Sequence, residues 1–200
     1  MYAFAFLELP IPRDIPSGWQ GHAVEFVQAG QLAAAVDASI PWETIQTDDA
    51  QLLNAALLHD RVICDLFRQQ PVLPLCFGTV FISVERLKKH LEQNSRDYQQ
   101  RLRTLRGMGE YTLKLLPCLA HPELDDGKEP ELEKADLTEK LHALYPQLVH
   151  GAPQSGVDRV HLLLPVRDGE ALLEQMSEWQ TRYHCWRFDL QGPLPPYHFA

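Results

Sequence analysis

Nine histidines and four cysteines are the side chains in this chain best suited to metal or nucleophilic chemistry. Their spacing does not assemble them. No pair of histidines stands at H-x-x-x-H or H-E-x-x-H, the spacings that put two imidazoles on one helical face. His184-Cys185 are adjacent, but adjacency alone makes no ligand set. Cys64, Cys76, Cys118 and Cys185 stand far apart with no C-x-x-C among them. There is no G-x-S-x-G, no Walker loop and no G-x-G-x-x-G; Gly107-Met-Gly109 follows a helical pattern, the wrong context for a dinucleotide loop. Asp125-Asp126 lies in a linker-like stretch, where carboxylates are solvated. His59 falls on the apolar stripe of a helix and reads as a hydrogen-bonded core residue. No acid, base and nucleophile converge locally and no ligand set is visible, so no metal and no cofactor are expected. A small-molecule-binding or enzymatic domain using His59 or His161 with nearby carboxylates is the alternative, because catalytic groups can be distant in sequence.

Eighteen basic against twenty-seven acidic residues give a net charge of −9. This opposes binding driven by phosphate contacts, so no nucleic-acid partner is expected. The cysteines sit among apolar neighbours and read as buried free thiols of a reducing compartment. Met1 to Leu9 holds no Lys or Arg, and no uninterrupted apolar stretch reaches membrane length, so a soluble cytoplasmic protein without a membrane partner is expected.

The chain is organised around Pro71-Val-Leu-Pro-Leu-Cys-Phe-Gly-Thr-Val-Phe81. Two prolines forbid a helix and confine any strand to an edge, a strand start or a bulge, and a buried strand with a bulge is favoured over a ligand loop. The segment reads as extended from Val72 to Phe77, bent at Gly78, with a short exit to Phe81. Before it, Tyr2 to Leu7 reads as a strand buried on both faces. His22 to Val27 and Leu32 to Val36 are further strand candidates, and Thr47-Asp48-Asp49 starts a helix that ends near Arg68. After it, Ser83 caps one long helix to Arg106 with Val84, Leu87, Leu91, Tyr98, Leu102 and Leu105 inside. Arg86, Lys88, Lys89, Arg96, Arg101, Arg103 and Arg106 form its solvated outer face. Tyr111 to Leu116 is a strand with Tyr111, Leu113 and Leu115 on one face.

His121 to Glu133 is acidic and Pro/Gly-punctuated, a linker by composition. Asp136-Leu-Thr-Glu139 reads as a capping box opening a helix that stops near Pro146. Val160 to Leu164 is a central strand, Asp168 opens a helix bearing Leu172, Met176, Trp179 and Tyr183, and Trp186 to Leu190 is a last strand. With a further strand this half would form a split βαβ sandwich of the ferredoxin-like kind. The predicted class is α+β, in two domains.

Three stretches together resemble one family: Val72-Leu-Pro-Leu-Cys-Phe-Gly-Thr-Val-Phe81, Leu105-Arg-Gly-Met-Gly-Glu-Tyr-Thr-Leu-Lys114, and Gly192-Pro-Leu-Pro-Pro-Tyr-His-Phe199. In order and ending they look like the gas vesicle proteins of the GvpF/GvpL family, and the Tyr2 to Leu7 strand and His59 fit the same pattern. Leu194 stands where that family commonly has Trp, and the Gly-Arg-Ala-Tyr-Leu-like segment usual after the Lys114 strand is absent. The resemblance implies an N-terminal α+β domain over residues 1–118, an acidic linker over 119–135, a C-terminal ferredoxin-like domain over 136–191 and a tail over 192–200 folded back on the first domain. It also implies a non-enzymatic accessory role in the gas vesicle. The implied partners are the hydrophobic major shell protein, GvpA, and other accessory proteins. Leu73, Phe77, Phe81, Tyr197 and Phe199 are the candidate interaction or interdomain residues.

Overall fold

The computed structural model describes residues 1–118, 130–154 and 156–200. It divides into two units: Met1–Gly107 with Pro195–His198 and Ala200, and Met108–Leu194 with Phe199. Each is built on a four-stranded antiparallel sheet.

In the first unit the strands are β1 (Tyr2–Glu8), β2 (Glu25–Ala29), β3 (Leu32–Asp37) and β4 (Val72–Pro74), in the order β2-β3-β1-β4. The register of β1 against β3 shifts between Ala3 and Ala5. Tyr2 and Phe4 before the shift therefore join one core with Ala5 and Leu7 after it, while Phe6 stacks elsewhere, against Phe81, His90 and Tyr98. Such a shift reverses the alternation of faces. This explains why β1 is apolar at nearly every position. In β3, Ala33, Ala34 and Ala35 are fully buried.

A short helix, α1 (Trp42–Ile45), leads into α2 (Asp49–Phe67). Asp48 caps α2 by accepting from the backbone N–H of Ala50 and Gln51, both at 3.0 Å. The buried side chains of α2 are Ala55, Leu58, His59, Val62, Ile63 and Leu66. The sheet's other face is packed by α3 (Val84–Gln93) and α4 (Ser95–Thr104). The single long helix expected from the sequence is thus two. The break is at Asn94 (φ −105°, ψ 9°), whose side-chain amide donates to the His90 carbonyl at 2.8 Å. Asparagine competes for backbone partners in this way and interrupts helices. Ser83 does cap the first of the two, accepting from Arg86 N–H. The second strand candidate also lies later than expected, at Glu25–Ala29 rather than His22 to Val27.

The second unit runs β5 (Met108–Pro117), α5 (Pro130–Leu144), β6 (Leu148–Gln154), β7 (Val157–Pro165), α6 (Gly169–Arg182) and β8 (Trp186–Leu194), with strand order β6-β7-β5-β8. This is the order of a split βαβ pair. Tyr111, Leu113 and Leu115 of β5, with Val160, Leu162 and Leu164 of β7, face Leu137 and Leu141 of α5 and Leu172, Met176 and Trp179 of α6.

Three sequence expectations change here. The strand at Tyr111 to Leu116, expected to close the first domain, pairs with β7 and β8 at the centre of the second sheet. The linker expectation falls mostly on residues outside those described, but its end, Pro130 to Glu133, is the first turn of α5. Proline suits a first helical turn because its missing N–H would have no partner there. The capping box at Asp136 is consequently mid-helix, and Asp136 instead accepts from Lys140 and from the Tyr183 hydroxyl. Those donors hold its carboxyl below the usual carboxylate range. Finally, Gly192 to Leu194, expected in the tail, belong to β8, with Leu194 opposite Glu110.

The free cysteines are also less buried than expected. Cys76 and Cys118 are exposed, and Cys64 and Cys185 half-buried. Cys76 sits at a turn and Cys118 just beyond the end of β5, where neighbouring apolar residues do not cover them. Among the described residues no helix is long and apolar enough to cross a membrane.

Candidate interaction surface

The prolines of the central stretch explain its place: β4 is an edge strand, where a missing N–H leaves no gap in the ladder. Pairing with β1 continues past β4. Leu75 N–H donates to the Phe4 carbonyl at 2.9 Å, Ala3 N–H to Thr79 at 3.0 Å, and Phe81 N–H to Met1 at 2.9 Å. Between these contacts the chain turns at Gly78, with φ +89°. A β-carbon there would lie 2.8 Å from the Trp42 ring, so glycine is required for both backbone and space.

The turn is held from inside by His59. Its Nε2 lies 3.0 Å from the Leu75 carbonyl, which only accepts, so Nε2 carries the proton. Nδ1 therefore accepts from the Tyr2 hydroxyl at 2.9 Å, and that hydroxyl accepts from Gly78 N–H at 3.2 Å. Burial pushes the His59 pKa down and that of Tyr2 up to about 12, so both are neutral at ordinary pH. Around them Phe77 packs edge-on against Trp42 at 5.2 Å and His59 at 5.6 Å between centroids. His59 is thus a satisfied core histidine, with no substrate-facing lone pair.

The residues singled out from sequence separate here. Leu73 is buried in the first unit and unavailable to a partner. Phe81 is half-buried and stacks near Phe6 and His90. Phe77 is 40% exposed, and beyond it Val80, Ile82 and Val84 are 41%, 94% and 39% exposed. Sequence reading missed these last three as surface; the alternation around inward-facing Phe81 was the available signal. Tyr197 donates a 2.6 Å hydrogen bond to Asp60 of α2 and is 37% exposed, while Phe199 is half-buried.

In the second unit, Glu110, Thr112 and His161 are buried on the sheet face away from α5 and α6. Thr112 Oγ1 lies 3.0 Å and Glu110 Oε1 3.3 Å from His161 Nδ1. Glu110 and Thr112 share a face because they are two apart in a strand, and His161 is opposite Thr112 in register. Such a set can share a proton in a buried site. An open groove of about 480 Å³ elsewhere in this unit is lined by Leu144, Tyr145, Leu164, Leu172 and Gln175, among others. Neither His59 nor His161 lines it, so the histidine-based alternative gains no substrate cleft there.

The sequence matches the family model described as gas vesicle synthesis protein GvpL/GvpF over residues 1–134 and 128–200. The chain belongs to the GvpL/GvpF family. The crystal structure of the gas vesicle protein GvpF from Anabaena sp. PCC7120 aligns with all of this chain and 94% of its own, with a TM-score of 0.77 at 15% identity. That of GvpF from Microcystis aeruginosa aligns with 99% of this chain and 97% of its own, with a TM-score of 0.74 at 13% identity. No curated protein matches the chain. These likenesses show that this GvpL/GvpF chain shares the mixed α+β fold of the two GvpF structures. The family is one of gas vesicle proteins rather than a known enzyme family.

Proposed function

We propose that this GvpL/GvpF chain is a gas vesicle accessory protein that binds the hydrophobic major shell protein, GvpA, and assists nucleation or assembly of the vesicle as one of its minor components. The observation that carries this reading is the family match along the whole chain. The surface best suited to the task is the exposed row Phe77, Val80, Ile82 and Val84 beside the edge strand. Shell subunits that pack through apolar faces expose those faces before assembly, and a row of this kind offers them a matching surface. The tail, from Pro195, is proposed to dock on the first domain through Tyr197 and Asp60.

The test is co-purification of the full chain with shell subunits, comparing the wild type with Ile82→Asp. Ile82 is almost wholly exposed, so the charge does not disturb the core. Capture by the wild type and loss in Ile82→Asp supports the function and the surface. Capture by both retains the function and rejects the surface. Capture by neither rejects the accessory role through GvpA.

A further inference from the structure

His142 and His150 meet on the surface of the second unit. His142 lies in the last turn of α5 and His150 in β6. Their Nε2 atoms are 3.2 Å apart, with ring centroids at 5.2 Å, and both side chains are exposed. Two imidazole nitrogens bound to one tetrahedral ion at 2.0–2.1 Å stand about 3.3 Å from each other. The rings are therefore already placed as a chelating pair. In the absence of metal, one Nε2–H donates to the other Nε2, a contact that water competes for at an exposed site. The position favours a cation for a second reason: the unpaired carbonyls ending a 15-residue helix carry partial negative charge.

We propose that His142 and His150 form a two-histidine site for a borderline divalent transition ion such as Ni²⁺, Zn²⁺ or Cu²⁺, clipping the end of α5 to β6. Each ring gives its Nε2 lone pair to the ion and keeps a proton on Nδ1, and water completes the coordination. When both rings are neutral, the proton of the bridging hydrogen bond moves to Nδ1 and none is released. Each Nε2 must be free of its proton to bind, so protons compete with the ion. Hard cations with a preference for oxygen ligands, Mg²⁺ and Ca²⁺, are excluded by the ligand type.

The probe is Ni²⁺ alone, titrated calorimetrically into the full chain under a non-thiol reductant and read in parallel from the melting temperature. The wild type should bind one equivalent and melt higher with Ni²⁺ than without. His142→Ala and His150→Ala should each weaken binding by at least about tenfold and abolish the melting shift. His22→Ala, an exposed histidine elsewhere, should change neither. The proposal is overturned if wild-type protein does not bind, if either single variant binds as tightly as the wild type, or if Mg²⁺ reproduces the shift.

Discussion

Replacing Tyr2 by Phe removes one oxygen from a side chain that is 1% exposed, and the structure states what that oxygen does. It donates to His59 Nδ1 and accepts from Gly78 N–H. In Tyr2→Phe the ring still fills its space, so there is no cavity. His59 Nδ1 is left buried without its donor, and Gly78 N–H without its acceptor. An unsatisfied buried polar group costs about 1–3 kcal/mol. His59 is 6% exposed and bears the full cost, whereas Gly78 is half-buried and partly compensated by water. The sum is about 3 kcal/mol, or roughly 6–12 °C of melting temperature for a chain of this size. Urea denaturation followed by tryptophan fluorescence would measure it, since Trp42 lies 5.3 Å from the Tyr2 ring. The double variant with His59→Leu should lose less than the two single losses added, because both remove the same contact. Strict additivity, or a Tyr2→Phe loss below about 0.5 kcal/mol, would refute the network as the element that holds the turn.

His59 has a lowered folded-state pKa through burial, so its contribution is fully present above the unfolded value of about 6.5 and is lost as pH falls below it toward the folded pKa. Stability measured from neutral to acid pH should fall, and His59→Gln should flatten that fall. Gly78→Ala forces a β-carbon into the Trp42 ring at a positive φ and should cost about 1–3 kcal/mol by chemical denaturation, with a neutral result counting against the turn geometry. Glu133→Ala should cost a similar 1–3 kcal/mol or so, because the buried carboxylate accepts from the N–H groups of His184 and Cys185. Glu133→Gln, which keeps an acceptor, should cost less, and equal losses would show that the oxygen is not the cause. Truncation after Leu194 removes the buried Pro195 and Pro196 and the Tyr197–Asp60 hydrogen bond, so it should lower the melting temperature. An unchanged melt would reject tail docking.

Much of the fold was legible because local chemistry and tertiary environment agree. Asp48 and Ser83 cap helices where the sequence placed caps. Tyr111, Leu113 and Leu115 alternate onto one buried face. Pro71 and Pro74 left an edge, a strand start or a bulge open, and β4 is an edge strand. What was missed depends on partners distant in sequence. β6 carries His150, Gly151 and Pro153 and lacks the alternation of a strand, and its pairing with β7 supplies what propensity does not. Glu133 reads as a linker carboxylate until the backbone of residues 184 and 185 is brought to it. His142 and His150 are eight apart, a spacing that fits no helical motif, and they meet only because α5 ends where β6 begins its return.

The three alanines at the middle of β3 set how near the helices on either side can come to that sheet. A strand that offers only methyl groups adds little apolar area of its own, but it lets both layers close on the backbone. Thickness there is decided by the smallest residues present. A change from alanine to valine on one side would press on the apolar cluster that Ala33 and Ala35 share with Phe4 and α2, on the other on α3, and neither layer could yield without disturbing its neighbours. That strand therefore acts as a gauge for the whole unit: changes elsewhere in its core can be traded against each other in volume, while changes at Ala33 to Ala35 have nothing to be traded against.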